Sequence, residues 1–405
     1  MNHKILFSER VVTDDGVIPA SLVLEKGKIV SILKDRMPLP GYQFMDYANR
    51  VIMPGIIDCH VHINEPGRTS WEGFDTATRA AAAGGVTTLI DMPLNSNPVT
   101  TGVAQLNQKI TSARNNIHVN CGFWGGLVPT NLNEVEDLLK AGVFGIKAFL
   151  IHSGIDEFPN VVPSDLDAVL PILKKYNRPL LVHCELDLNH DAQLIEGQTT
   201  DNYETYMRSR PDKWEIDAID LLISKCQLHQ ARGHIVHLAT DQALDSIIRA
   251  KSEGIQITVE TCPHYLFFHS EKIAPGNTQF KCAPPIRSLK NNENLWKALV
   301  RQDIDFVASD HSPSPPELKL LEEGDFFNAW GGIAGLQFSL SAIWTMWKND
   351  HLLESIGLNQ LSFQMSGRVA QFLGLSHRKG FIRSGYDADL VVWDPEKEKT
   401  ISASS

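Results

Sequence analysis

Six cysteines, Cys59, Cys121, Cys184, Cys226, Cys262 and Cys282, are scattered without a C-x-x-C pair. That spacing excludes a zinc ribbon and a redox dithiol and leaves reduced, mostly buried thiols as the expectation. No apolar run approaches the roughly 20 residues of a membrane helix, so membrane insertion is not expected. Lysine and arginine never gather into a phosphate-neutralising cluster, and the formal net charge of -11 further argues against nucleic acid as a partner. The opening MNHKILFSERVV has neither the apolar core of a signal peptide nor the Arg/Ser-rich pattern of a transit peptide. Intracellular residence is expected, the cytoplasm first, with mitochondria and peroxisomes left open. Internal repeats and low-complexity tracts are lacking too.

What is present is an ordinary balance of 43% hydrophobic and 21% charged residues over 405 positions, enough for a large core. Residues 1–50 carry short β-type runs separated by Asp14-Asp15-Gly16 and by the turn from Pro38 to Gly41, and read as a small antiparallel unit. Strand-like and helix-length segments then alternate, the pattern of a parallel sheet wrapped by helices. Strands are expected at 51–63, 86–93, 116–127, 143–150, 179–185, 233–240, 255–266 and 303–310. Eight such strands predict an α/β chain with a (β/α)8 barrel over 51–375. Asn133–Ala141, Ser164–Tyr176 and Asp241–Ser252 read as amphipathic helices, the first two capped by Asn and Ser. Long loops follow the fifth strand (Leu186 to Trp214) and the eighth (Ser312 to Ile333), where a barrel builds its active face. Residues 376–405, with KGFIRSGYDADLVVWDPEKE, read as a return to the N-terminal β unit.

The chain is organised around IIDCHVHINEPGRTSW, Ile56 to Trp71. In an extended strand the one-residue gap places His60 and His62 on the same face, as a two-histidine claw. Other strands repeat the feature: Lys147 in FGIKAFL, His183 in LLVHCE, His237 in IVHLAT and Asp310 in VASDHSP. Taken singly, His183 or His237 could be a hydrogen-bonded core histidine, Lys147 could snorkel to the barrel mouth, and His234 reads as structural. Taken together, five strands place ionisable groups where Val, Ile and Leu normally pack, which is costly unless they bind a cation. His3, His190, His229, His269, His351 and His377 fall in expected loops or helix surfaces and are assigned no chemistry. Four histidines, a carboxylate and a lysine exceed one tetrahedral zinc site. Two divalent cations bridged by a carbamate on Lys147 accommodate them all, and a water between the cations would be deprotonated near neutral pH. Zn2+ is the expected metal, with Mn2+, Co2+ and Fe2+ as alternatives.

With these residues placed, the chain resembles the amidohydrolase superfamily, specifically the cyclic amidases that include dihydroorotase, hydantoinase/dihydropyrimidinase and allantoinase. HINEPGRTSWEGF, DMPLNSNP, SRPDKWE, TCPHYL, FKCAPPIR, SDHSPSPPE and WGGIAGLQ look most like the allantoinase members. The resemblance implies a TIM barrel flanked by a small β-sandwich, with His60, His62, carbamylated Lys147, His183, His237 and Asp310 as ligands. Asp310 would also shuttle protons, and a homotetramer is implied. Dihydroorotases usually carry Arg at the position of Asn64, where it pairs with a substrate carboxylate; a neutral amide suits a ureido group instead. Hydantoinases commonly have Ser where Ala283 stands. The implied reaction is opening of allantoin to allantoate, with hydantoinase-type chemistry and a non-catalytic scaffold as rivals. Asn95 and Ser312 are candidate hydrogen-bond partners of the substrate, His264 of the developing oxyanion, and backbone groups of Cys282 and Gly332 of the ring. Allantoinases usually continue past DADLVVWD with further strands, so a shortened sandwich is also expected.

Overall fold

The computed structural model describes residues 3–187, 199–349 and 357–402. His190 and His351, and part of the long loop expected after the fifth strand, lie outside these. Two units are distinguishable: residues 1–57, 85–87 and 347–405 in one, and 58–84 with 88–346 in the other.

In the first unit β1 (Lys4–Thr13) pairs antiparallel with β2 (Gly16–Glu25), and β2 with β3 (Lys28–Lys34). The opposite edge of β1 is shared: β4 (Gln43–Asp46) runs parallel to residues 4–7 and β5 (Val51–Pro54) pairs at Arg10 and Val11. A bulge between Ser8 and Val11 separates the two halves and lets the strand bend from one partner to the next. The C-terminal strand Leu390–Trp393 pairs antiparallel with β5. Inward-facing Leu6, Val11, Ala20, Leu22, Ile29, Ile52 and Ile382 form the core of this β-sandwich unit.

The second unit carries the barrel, except that the first two residues of β6 and of β7 are counted with the first unit. The barrel strands are β6 (Ile56–Val61), β7 (Val86–Asp91), β8 (Asn120–Phe123), β9 (Gly125–Gly126), β10 (Ile146–Phe149), β11 (Leu180–His183), β12 (Gly233–Ile235), β13 (Ile257–Thr261) and β14 (Phe306–Val307). One sheet runs β6-β7-β8 and another β9 to β14 in sequence order. β8 and β9 are halves of one expected strand, interrupted at Trp124, whose indole N–H donates to the Cys59 carbonyl at 2.8 Å. A parallel bridge between Val61 and His311, with the His62 N–H on the His311 carbonyl at 2.7 Å, joins the last strand position to the first.

Most strands are shorter than the sequence suggests, for local reasons. Gly55 interrupts the run 51–63, separating β5 from β6. Pro263 opens a helix, Pro263–Phe267, where strand was expected to continue to 266. Beyond β12 and β14 the chain leaves extended geometry at His237 (φ 41°) and Asp310 (φ 45°). The three expected helices occur as Leu132–Lys140, Pro163–Tyr176 and Leu244–Ser252. Their caps differ: Asn131 precedes the first helix but spends its side chain on Val128, Thr101 and Gly126, while the Asp165 carboxylate caps the Val162 N–H at 2.9 Å. No helix among the described residues is long and apolar enough to cross a membrane.

Candidate active site

The ends of the barrel strands bring the six singled-out side chains to the wall of one cavity of about 440 Å³. β6 is buried along its whole length; His60 sits on it and His62 one residue beyond its end, both buried. His60 Nε2 lies 3.1 Å and His62 Nε2 3.4 Å from the same Asp310 oxygen. The His237 ring is 5.5 Å from His60 and 4.6 Å from His183, centroid to centroid. Phe149 stacks on His183, and the Lys147 ammonium lies 4.9 Å from the centre of that phenyl ring. One contiguous cluster results.

Its polar atoms are unusually short of partners. Lys147 Nζ, His62 Nδ1 and His237 Nδ1 are buried without a hydrogen bond, an arrangement that is expensive unless something else satisfies them. Donor atoms of His60, His62 and Asp310 lie within 4.8 Å of one another, as metal ligands do. Burial lowers the Lys147 pKa to about 8 and the His62 pKa to about 4, the latter aided by the nearby His60 and Lys147 charges. Burial also drives His237 well below the ordinary imidazole value. His60 goes the other way, to about 9, because Asp310 and Glu260 outweigh its burial. Despite burial, the same His60 contact holds the Asp310 carboxyl well below the usual range. Unprotonated His62 and His237, an ionised Asp310 and a lysine with an accessible neutral form suit divalent cations and a lysine carbamate, and a cation would displace the proton that His60 otherwise holds between Asp310 and Glu260.

A ring of carboxylates behind the cluster escaped the sequence reading. Glu260 on β13 accepts from His60 Nδ1 and, at 3.1 Å, from His234 Nε2, which gives His234 a supporting role. Glu185 pairs with His183 Nε2 at 2.7 Å and is held by Arg210 Nε at 2.9 Å. Asp58 accepts the backbone N–H groups of His60 (3.1 Å) and Ser309 (3.2 Å). Such partners fix a ligand's tautomer and orientation. The available signal was an acid inside an apolar strand, as in ITVET, or two residues beyond a histidine, as in HCE.

The expected substrate contacts divide. Asn95 (φ 74°) and Ser312 line the cavity, as do Cys282 and Gly332. The Cys282 carbonyl already accepts from Tyr206 Oη at 2.7 Å, and the Gly332 N–H donates to the Lys281 carbonyl at 2.8 Å. Asn64 is fully buried and absent from the wall, its Nδ2 donating to Pro313 O at 3.3 Å. His264 is also off the wall: the turn at Pro263 packs its ring against Tyr265, 4.2 Å between centroids. The wall adds His152, Tyr206, Arg210, Lys281 and Trp330, which the strand pattern did not single out.

The sequence pattern of the amidohydrolase family matches residues 51–405. The chain is 46% identical to the allantoinase of Arabidopsis thaliana, over 98% of its own length and 80% of that protein. It is 44% identical to the allantoinase of Streptomyces avermitilis, over 99% and 88%. Among solved structures, L-hydantoinase (dihydropyrimidinase) from Arthrobacter aurescens aligns with a TM-score of 0.91 at 28% identity, covering 98% of this chain and 89% of that one. Shared fold, a cluster suited to cations and identity along nearly the full length place the chain in the amidohydrolase family, in its allantoinase branch.

Proposed function

We propose that the protein hydrolyses the cyclic amide of allantoin to allantoate, a step of purine (ureide) degradation. The observation that carries this reading is the convergence of His60, His62, Lys147, His183, His237 and Asp310 on one cavity in a chain so similar to allantoinases. Those six residues would hold two divalent cations, Zn2+ first with Mn2+, Co2+ or Fe2+ as alternatives, Lys147 doing so as its carbamate. When bound, such cations supply Lewis acidity toward a carbonyl and acidify water near neutral pH. Asp310, ionised and at the cavity wall, is the group placed to take a proton from attacking water and return it to the departing ring nitrogen. Water thereby adds to the ring carbon as the C–N bond opens.

Asn95 and Ser312 offer both donor and acceptor capacity to the ring and ureido group. With Asn64 behind the wall, the charge-assisted grip on a carboxylate that a dihydroorotate site needs is not supplied from that position. Hydantoin or dihydropyrimidine opening would use the same machinery, and the likeness to L-hydantoinase supports it as a second reading. A scaffold without catalysis is disfavoured by the complete set of six residues. Assembly as a homotetramer in an intracellular compartment belongs to the same proposal, and six free cysteines suit reducing surroundings.

The test is metal analysis of purified protein together with turnover of allantoin, hydantoin, dihydrouracil and dihydroorotate. Two metals per chain and fastest opening of allantoin are expected. A clear preference for any other ring would overturn the assignment.

A further inference from the structure

Residues 327–332 all line the cavity, and no regular element supports them. The loop enters through Phe326, whose ring packs 5.3 Å from Tyr203 and 6.1 Å from Tyr206. Asp325 then turns the chain by accepting the N–H groups of Phe327 (2.8 Å) and Asn328 (3.0 Å). Two lysines take over from there. Lys281 Nζ donates to the carbonyls of Phe327 (2.9 Å) and Ala329 (2.6 Å), and Lys319 Nζ to those of Trp330 (3.1 Å) and Gly332 (2.5 Å). Main-chain bonds lie alongside, from Gly332 N–H to the Lys281 carbonyl and from Trp330 N–H to the carbonyl of Leu318, the residue before Lys319.

Each ammonium is spent on two carbonyls of one short loop, and neither pairs with a carboxylate among the described residues. Asp325 acts on Lys281 only as a more distant charge, against Arg210 and Lys319 of like sign, and burial draws both amines down to about 8. Half-buried charges without a counter-ion are costly, and charge-assisted bonds to carbonyls are what offsets that cost here. An exposed lysine would tolerate any local backbone arrangement. These two are committed to four carbonyls of the loop as it stands.

We propose that Lys281 and Lys319 are positioning residues that clamp 327–332, and with it the Trp330 side chain, in the conformation that receives the cyclic amide. The inference rests on reading the cavity as the substrate site. Trp330 meets Trp71 edge to face at 4.9 Å, so displacing the loop also displaces that aromatic contact. Binding should suffer more than chemistry, because neither lysine has a hydrogen bond to the six clustered residues.

The metal-loaded full-length protein tests this with Lys281→Met, Lys319→Met, the double variant and the two Lys→Arg variants. Loss of bonds to a charged donor should raise KM by roughly tenfold or more, with kcat within about threefold and metal content unchanged. Amide hydrogen exchange across 327–332 should rise without spreading to the barrel strands. The double variant should cost less than the product of the singles, because both act on one loop, and arginine should restore part of KM. Unchanged exchange and KM would overturn the clamp, as would loss of metal with a fall in kcat. If a methionine variant fails to fold, its glutamine counterpart replaces it with the same criteria. Failure of the wild type to open allantoin would sink the functional proposal, whereas the exchange measurement judges the clamp without substrate.

Discussion

A buried ammonium at Lys147 has an aromatic face beside it and no hydrogen-bond acceptor, and burial has already brought the neutral amine within reach near pH 8. A neutral amine can capture carbon dioxide, and the resulting anion would replace repulsion of bound cations by attraction. Lys147→Ala is therefore expected to lose at least one metal. Its activity loss should exceed the ~10–100-fold typical of residues that only support a ligand. A short carboxylic acid in solution should restore part of both, by standing where the proposed carbamate would. Metal analysis and kcat with and without the acid check it; two metals and full activity in the unaided variant would refute the carbamate. At this scale the six clustered residues were legible because each interrupts an apolar strand with a group that does not belong in a dry core. Glu260, Glu185 and Arg210 were not, since an acid or arginine near a strand end has many uses until its neighbour strand is known. Asn64 illustrates a related limit: its place next but one to His62 does not say whether its amide meets the cavity or, as here, the Pro313 carbonyl.

Helix-and-strand alternation made the order of barrel strands readable, but not their lengths. The backbone leaves the sheet at His237 and Asp310, whose side chains line the cavity, and at Pro263, where a helix begins and His264 packs against Tyr265. Periodicity reports burial, and the residues after the last ladder pair remain buried. The break at Trp124 has a different cause, a strand divided where a fully buried indole reaches across to the Cys59 carbonyl. The loop after the eighth strand depends on one residue in particular: Gly332 has φ 112°, and a Cβ there would lie 2.5 Å from the Ser312 carbonyl oxygen. Gly332→Ala should destabilise by roughly 1–3 kcal/mol from backbone strain alone, before the clash is counted, and should displace Ser312 from the wall. A lower melting temperature together with a raised KM is expected. Wild-type values for both would show that the turn relaxes without consequence.

Across the whole barrel, the groups able to hold cations come from β6 and just beyond it, from β10 and β11, and from just beyond β12 and β14. Cations bound there would therefore tie together five positions around the ring. Ligand at a hundredfold excess over its Kd stabilises the folded state by about 2.7 kcal/mol. Each kcal/mol moves the Tm of a large domain by roughly 2–4 °C. Chelation should thus lower Tm by at least about 5 °C, reversibly on adding metal back; an unchanged melting curve would mean the cluster does not hold its ions in the folded protein. The junction of first and last strands carries a further consequence, for the order in which a growing chain becomes competent. Ser309 Oγ reaches the His60 carbonyl across 249 positions of sequence, and Asp310 follows directly after it. A nascent chain on the ribosome would display His60 and His62 long before the carboxylate that faces them exists. Any ion captured early would be held by an incomplete set, so committed loading waits until the eighth strand has emerged and closed against the first.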